Sequence, residues 1–466
     1  MGSLLSRGLS WRAVTLIACE CGLIVGVNVL ASYLRLGAAA SRVLFTDNGL
    51  AKAVLIAGVC QICLYYADLY DLRVVADRRE LFVRALQALG ATSLILGGIY
   101  YWFPDLVIGR GVFLIGSAFA VVVIVGWRVA FEWATRQVRA RERLLLVGTS
   151  RAAVDLAQEL YARRAELGVE IVGFVDPDPA RVGEALMSPG IIGTIADIPA
   201  IARAQRVDRV VVSLADARGK LPMDQLLHMR LNDGVRFDHL ASVYEEYTGK
   251  IALENLRPSW LIFSAGFVKS RSLLAAKRTL DIVASAMGLL VALPFVLLAA
   301  VAIKLASPGP ALYHQQRVGR HGRVFTVHKF RSMRVDAEAA TGAVWARAGA
   351  DPRVTPVGRV LRRTRFDELP QLWNVLVGDM SFVGPRPERP EFVKDLTVQI
   401  PFYGQRHVVK PGLTGWAQVR YTYGASVEDA MEKLQYDLFY VKNLSIALDF
   451  YIILETIKTV LMRKGS

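Results

Sequence analysis

Four apolar stretches of about twenty residues fill the first third of the chain: Ala13–Leu34, Leu50–Leu69, Ala85–Phe103 and Gly111–Trp127. A helix needs about 20 consecutive apolar residues to cross a hydrocarbon core, so the pattern predicts a bundle of four membrane-spanning helices. The first stretch is long for a cleaved leader and lacks a small-residue cleavage site, so it reads as a retained anchor. Arginines then set the orientation. Arg7 and Arg12 precede the first stretch, Arg73, Arg78, Arg79 and Arg84 join the second to the third, and Arg128, Arg136, Arg139, Arg141 and Arg143 follow the fourth. The opposite connections carry Arg35, Arg42, Lys52 and Arg110. The positive-inside rule places the N-terminus, and everything after the fourth stretch, in the cytoplasm.

A length of 466 residues allows about three units. With 53% hydrophobic residues the chain is too apolar for disorder. Its mean hydropathy of +0.35 is high for a purely soluble protein. The balance of 56 Lys and Arg against 41 Asp and Glu gives +15, a charge that suits nucleic acid, anionic lipid or phosphorylated substrates and does not choose among them. The four cysteines, Cys19, Cys21, Cys60 and Cys63, all lie in apolar runs, where a thiol packs as a small hydrophobe. A disulfide framework is excluded, and Cys60-x-x-Cys63 has no flanking ligands to make it a metal or redox pair.

From Arg143 short β-branched runs alternate with helical pattern: strands at Leu144–Val147, Ile171–Val175 and Arg209–Leu214, with a helix over Arg151–Glu166. This is a βαβ signature and predicts a parallel sheet. The turn Gly148-Thr149-Ser150-Arg151-Ala152-Ala153 stands where a dinucleotide-binding loop would, with Ser150 in place of the second glycine. Asp176 ends the second strand at the position of a ribose-binding acid. Nucleotide binding and a Rossmann-like module without a working cofactor both stay open.

A fifth apolar run, Ile282–Ile303, is basic at both ends, with Lys277 and Arg278 before it and Lys304, Arg317, Arg320 and Arg323 after it. Pro294 near its middle removes a helical hydrogen bond, so a kink or break is expected there. The charges favour a helix that enters the cytoplasmic leaflet, bends at Pro294 and returns, over an ordinary fifth span. Near the end, Ile446–Met462 contains Asp449, Glu455 and Lys458, which suits either an interfacial helix or packing on the preceding domain.

The chemistry concentrates after Ser307. Arg353, Arg359, Arg362, Arg363 and Arg365 crowd one acidic pair, Asp367-Glu368. Guanidinium forks suit phosphate oxygens and stay charged. Of two adjacent carboxylates in such a setting, one can attack phosphorus, kept ionised by the arginines, while its neighbour holds a Mg²⁺ that neutralises a diphosphate. A basic face on anionic lipid would explain the arginines but not the pair. Downstream, Gly378-Asp379-Met380-Ser381-Phe382-Val383-Gly384-Pro385-Arg386-Pro387 locks Arg386 between prolines, and Pro411-Gly412-Leu413-Thr414-Gly415-Trp416-Ala417-Gln418-Val419 follows.

These strings, together with Lys277-Arg278-Thr279-Leu280-Asp281, His328-Lys329-Phe330-Arg331-Ser332-Met333, Asp367-Glu368-Leu369-Pro370-Gln371-Leu372-Trp373-Asn374-Val375-Leu376 and Tyr436-Asp437-Leu438-Phe439-Tyr440-Val441-Lys442-Asn443, resemble the bacterial polyprenyl-phosphate sugar-1-phosphate transferases. The resemblance implies a monotopic membrane enzyme that moves a sugar 1-phosphate from a UDP-sugar to undecaprenyl phosphate and releases UMP, the first membrane step of exopolysaccharide assembly. It implies Asp367 as the nucleophile, Glu368 as the support for Mg²⁺, and Lys329, Arg331, Arg353, Arg362 and Arg386 as phosphate or nucleotide contacts. The family often has Ser-Pro at the re-entrant bend, where this chain has Leu293-Pro294. The four spans and Rossmann-like region are similar to the large-form initiating enzymes. Ser259–Phe267 is similar to the branch linked to exosortase polysaccharide loci.

The predicted architecture is a membrane α-helical bundle over 1–135, a cytosolic α/β Rossmann-like domain over 136–268, and a mixed, mainly α, monotopic catalytic domain over 269–466 with a re-entrant helix at about 279–304. Partners implied are a UDP-sugar, undecaprenyl phosphate and the lipid bilayer, with no nucleic acid; a homo-oligomer and downstream glycosyltransferases stay open. The site implied is the cytoplasmic face of the bacterial inner membrane. Two other functions compete. A membrane-bound nucleotide-sugar dehydratase or epimerase also joins four spans to a Rossmann domain, but it needs an intact glycine loop and usually Tyr-x-x-x-Lys, and neither is present. A scaffold without activity would have no use for Asp367, Glu368 and Arg386.

Overall fold

The computed structural model describes residues 11–70, 78–137, 142–162, 167–213, 221–253, 264, 266–335, 337, 353–421, 424 and 426–461. The chain divides into two compact units, Met1–Asp238 and His239–Ser466.

In the first unit α1 (Trp11–Leu36), a short α2 (Ala40–Phe45), α3 (Gly49–Tyr66), α4 (Arg78–Trp102) and α5 (Arg110–Gln137) account for the four apolar stretches, each long and apolar enough to cross a membrane. Leu16, Ile24, Cys60, Cys63 and Ile124 pack together in their core, and the thiols are free. Arg128, expected as a flanking cytoplasmic charge, is instead fully buried between helices. Its Nε lies 2.6 Å from Glu20 Oε1, and it also donates to the Leu69 carbonyl. A buried guanidinium is tolerable only when paired in this way. Of the other flanking arginines, Arg7, Arg73, Arg139 and Arg141, and the side chains of Arg12, Arg78, Arg79 and Arg136, lie outside the described residues.

The βαβ pattern folds as a five-stranded sheet in the order β3-β2-β1-β4-β5, formed by β1 (Glu142–Val147), β2 (Val169–Asp176), β3 (Ile191–Thr194), β4 (Arg209–Val212) and β5 (Arg236–His239). β1 pairs with β2 and β4, and β2 with β3, all in parallel. The helices are α6 (Arg151–Ala162), α7 (Ile198–Ala204) and α8 (Met223–Asn232). Leu214 and the expected helical residues 163–166 lie outside the described residues. Thr149 Oγ1 donates to Asp176 Oδ2 at 2.6 Å, and Arg181 Nη1 donates to the same oxygen at 3.0 Å. The carboxylate read as a ribose acid is therefore engaged by its own loop.

The second unit opens with α9 (Leu240–Thr248), ended by Gly249 in the left-handed region at φ 67°. Trp416 Nε1 donates to the Gly249 carbonyl at 2.8 Å, and buried Glu245 accepts from Lys442 Nζ at 2.5 Å and Asn443 Nδ2 at 2.8 Å. These contacts tie 240–249 to the domain expected to begin at 269. Residues 259–263 and 265 of the exosortase-like stretch lie outside the described residues.

α10 (Arg271–Ala306), N-capped by Ser270, is one continuous helix with Pro294 inside it, so of the expected kink or break the break does not occur. One missing hydrogen bond in a 36-residue helix leaves the turns on either side intact. After it come the antiparallel hairpin β6 (Leu312–Val318) and β7 (Val324–Phe330), then α11 (Pro356–Thr364), α12 (Gln371–Val377), β8 (Ser381–Val383), α13 (Pro390–Gln399), β9 (Gly412–Thr414), α14 (Trp416–Arg420), α15 (Val427–Asn443) and α16 (Ile446–Leu461). β8 and β9 pair in parallel, which lays the two Gly-Pro motifs side by side. A Cβ on Gly412 would collide with the Gly384 backbone, so this crossing requires glycine.

Tyr440 Oη donates to Asp449 Oδ1 at 2.7 Å, and Lys277 Nζ lies 2.5 Å from Asp449 Oδ2. Asp449 and Ile452 thus bind α16 to the domain, while Phe450 on the other face stays exposed.

Candidate active site

The acidic pair sits on a short turn built by sharp local signals. Thr355 caps α11 by accepting from Gly358 N, and Pro356 occupies the first turn, where its missing N–H costs nothing. The helix ends at Arg365, which adopts φ 59°, a conformation that costs a non-glycine residue roughly 1 kcal/mol. That reversal throws Phe366–Glu368 into one 3₁₀ turn, which passes through Leu369 and Pro370 directly into α12. The carboxylates are therefore held between two helices rather than on a free loop.

Glu368 is the anchored member. Arg386 Nη2 donates to its Oε1 at 2.9 Å, and Arg365 Nη1 lies 3.8 Å from the same atom. Burial alone would raise the Glu368 pKa, but Arg386 and Lys329 overcome it and hold the carboxyl down at about 2. Asp367 has the opposite balance. Burial and the neighbouring Glu368 charge push it up to about 6 against the pull of Lys329, Arg362 and Arg365, and its Oδ1 is buried without a hydrogen-bond partner. Asp367 thus stays ionised at neutral pH, but with its pKa raised by burial and by Glu368 rather than lowered by the arginines. Lys329 reaches the pair from β7, where burial brings its ammonium down to about 8 although Glu368 pulls it upward.

Asn374 sets the spacing between β7 and α12: its Oδ1 accepts from His328 N at 3.1 Å, and its Nδ2 donates to the Thr326 carbonyl at 2.7 Å. Arg386 is fixed from behind, since buried Arg406 donates to its carbonyl at 3.0 Å. Arg406 is itself held by Tyr403 Oη at 2.6 Å and Asp437 Oδ2 at 2.7 Å. Asn374 and Asp437 lie inside motifs already recognised, but nothing in a linear string says which polar residue faces inward; Arg406 carries no motif signal.

Lys329, Arg362 and Arg386 thus gather around Asp367 and Glu368, with Arg362 Nε also donating to Ser332 Oγ at 2.8 Å. Arg331 does not join them. Its guanidinium is buried against the end of α10, donating to the Pro308 carbonyl at 2.7 Å and the Ser307 carbonyl at 2.9 Å, so it caps orphan carbonyls there. Arg353 turns to the Ala337 carbonyl at 3.4 Å, beside a stretch outside the described residues. Phe295, next to Pro294, reaches the turn that carries the pair: the Phe295 and Phe366 rings lie 6.0 Å apart.

No group of three or more His, Cys, Asp or Glu side chains able to hold a metal occurs among the described residues. Asp367 and Glu368 still fit Mg²⁺, which is commonly held by one or two carboxylates with the remaining positions filled by water and substrate phosphates. Glu368, fixed by Arg386 through Oε1 and held ionised, is the carboxylate such an ion needs.

Residues 272–463 match the family model for bacterial sugar transferases. An undecaprenyl-phosphate glucose phosphotransferase of Komagataeibacter xylinus is 32% identical over 407 residues, covering 79% of this chain and 72% of that protein. The chain belongs to the bacterial sugar transferases. A second member, the UDP-glucose:undecaprenyl-phosphate glucose-1-phosphate transferase of Escherichia coli K12, is 34% identical over 68% of this chain and 67% of its own length. A UDP-N-acetylgalactosamine-undecaprenyl-phosphate N-acetylgalactosaminephosphotransferase of Aeromonas hydrophila is 40% identical over 56% of this chain, which spans 61% of that protein's length. Residues 66–237 match a second model, a CoA-binding domain, alongside the sugar transferase match.

Proposed function

We propose that this bacterial sugar transferase moves a sugar 1-phosphate from a UDP-sugar to undecaprenyl phosphate at the cytoplasmic face of the inner membrane, in two displacements at Asp367. In the first, an Asp367 carboxylate oxygen bonds to the β-phosphorus of the UDP-sugar, the bond from that phosphorus to the oxygen bridging to UMP breaks, and UMP leaves with the electron pair. In the second, a phosphate oxygen of undecaprenyl phosphate attacks the same phosphorus, the acyl–phosphate bond breaks, and the Asp367 carboxylate is regenerated. Charge balances in both steps without a proton donor.

The observation that carries this reading is the division between the two carboxylates. Glu368 is locked to Arg386, whereas Asp367 presents a buried, unpartnered oxygen in the field of Lys329 and Arg362. Arg386 and Lys329 supply fixed positive charge where the diphosphate must sit, which is electrostatic stabilisation of the transferring group. When bound, Mg²⁺ at Asp367 and Glu368 would neutralise diphosphate oxygens and help UMP depart.

α10 supports a re-entrant arrangement. At its start Asp281 Oδ1 accepts from Ser381 Oγ and Phe382 N, both at 3.0 Å, and Arg278 donates to the Val375 and Leu376 carbonyls at 2.7 Å. Toward its end Ile303 packs on Phe330 and Leu361. Residues 281 and 303 of a straight helix are roughly 33 Å apart, close to the thickness of a hydrocarbon core. A span with both ends on one folded unit would drag that unit through the bilayer, whereas a helix seated in one leaflet would not. Release of UMP from a panel of UDP-sugars, with and without undecaprenyl phosphate, tests the activity; no UMP from any of them overturns it.

A further inference from the structure

Beside the acidic pair lies a small cavity of about 10 Å³, lined by Arg317, Lys329, Gln371 and Arg386 together with apolar and backbone atoms. That is close to the least room that accepts one water-sized atom. Its polar wall is unusual in composition, because it contains two guanidiniums, an ammonium and an amide but no carboxylate. Gln371 is 4% exposed and its Nε2 is buried without a hydrogen-bond partner. A buried amide N–H left unmade costs about 1–3 kcal/mol, so an acceptor is missing there.

The chain from Phe366 to Val377 keeps right-handed helical torsions through Leu369 and Pro370. Gln371 therefore follows Asp367 by about one turn, and Lys329 and Arg386, which act on the acidic pair, line the cavity with it. The two residues carry complementary vacancies: an acceptor oxygen on Asp367 and a donor nitrogen on Gln371. An oxygen that only accepts fits a wall of two guanidiniums, an ammonium and an amide N–H.

We propose that Gln371 is a catalytic residue whose Nε2 donates to a non-bridging β-phosphoryl oxygen of the UDP-sugar, seated in this cavity while Asp367 attacks the same phosphorus. Lys329 and Arg386 complete the seat. The inference rests on the transferase reading and adds to it a specific oxygen and a specific donor.

The test uses the full-length protein in nanodiscs with the UDP-sugar that turns over fastest and its two β-phosphorothioate diastereomers, in which sulfur replaces one or the other non-bridging oxygen. Gln371→Ala and the near-isosteric Gln371→Glu should lower kcat on the order of 100-fold with little change in KM, as loss of one oxyanion donor does. Sulfur is larger than oxygen and a poorer acceptor, so the wild type should discriminate strongly against one diastereomer, and Gln371→Ala should lose that discrimination. Thermal unfolding of both variants shows whether they are folded, and the sulfur effect is read on whatever turnover remains. Folded variants that keep wild-type kcat and wild-type discrimination overturn the proposal and leave the cavity to water. Discrimination that persists in Gln371→Ala but is relieved by Cd²⁺ in place of Mg²⁺ belongs to metal coordination and also overturns it. A wild-type protein that releases no UMP overturns the transferase reading, and this proposal with it.

Discussion

Arg386 Nη2 lies 2.9 Å from Glu368 Oε1, and this ion pair, together with Lys329 and the burial of Asp367, makes the two neighbouring carboxylates chemically different. Glu368 is held at about 2 and Asp367 at about 6, although they are adjacent in the chain and share a buried site. Environments that push two titratable groups apart are how one site assigns different tasks to the same functional group. Arg386→Lys should be a severe change rather than a conservative one, since an ammonium cannot reproduce the planar fork held between two prolines. UMP release should fall on the order of 100-fold, as for loss of one donor on the transferring group. Near-normal turnover of the lysine variant would remove Arg386 from the mechanism.

Asp367→Asn should separate activity from stability. It removes the proposed nucleophile, so UMP release should vanish even without lipid acceptor, and mass spectrometry should find no phospho-sugar attached to the protein. It should also raise Tm at pH 7.5. The Asp367 pKa is higher in the folded state, so the folded chain holds the extra proton between about pH 4 and 6 and loses that stabilisation as pH rises through about 6. Asparagine does not ionise and escapes the loss. An active Asp367→Asn protein, free of contaminating enzyme, would sink the nucleophile assignment.

The same pKa values set a pH profile. The proposed attack by Asp367 needs its ionised form, so kcat/KM should rise through about pH 6. Lys329 contributes its charge only when protonated, so the rate should decline through about pH 8. Lys329→Met should lower the rate and remove the alkaline limb. A profile flat from pH 5 to 9 in the wild type would contradict both roles.

Much of this site is legible in linear order, and its failures are informative. Asp367, Glu368, Lys329 and Arg386 announce themselves because carboxylates and cations recur inside Pro- and Gly-punctuated strings. Lys329 and Arg331 are indistinguishable on that basis, two residues apart in one basic motif. β7 ends at Phe330, so Arg331 falls beyond the strand and meets the Ser307 and Pro308 carbonyls, a neighbour that no local pattern reveals. Strands β1, β2 and β4 follow from β-branched periodicity, whereas β3 and β5 span four residues each and the β8–β9 pairing joins three-residue strands, all too short to carry a period. Gln371 and Asn374 lie in print within the Asp367–Leu376 string, but only the fold shows one facing a cavity and the other clamping a strand.

A shortened chain tests how much of the protein the chemistry needs. Every residue gathered at the acidic pair follows the five-stranded sheet, so a chain starting at His239 should retain UMP release. One starting at Ser270 loses the Gly249 carbonyl that accepts from Trp416 and the Glu245 carboxylate that holds Lys442 and Asn443. It should remain competent in chemistry but unfold at lower temperature, because buried donors are left without acceptors. A folded, membrane-bound chain from His239 that is inactive would show that the sheet region contributes to the reaction.

Topology decides whether the nucleotide can reach the acidic pair at all. The proposed transfer from a cytoplasmic UDP-sugar requires Asp367 on the same side as Arg143, and so requires α10 to leave the bilayer on the side it entered. Both its ends pack on one folded unit, at Asp281 and at Ile303, which favours this over a crossing. Val268, 94% exposed just before the helix, and Arg323, exposed on the turn after β6, are suitable reporters. Single cysteines at these positions, in a chain whose four native cysteines are replaced by alanine, should both resist an impermeant thiol reagent added to intact spheroplasts. Both should react once the membrane is permeabilised. Labelling of Arg323→Cys from outside while Val268→Cys stays protected would mean that α10 crosses. It would strand Asp367 away from its nucleotide substrate and overturn the transferase reading at its root.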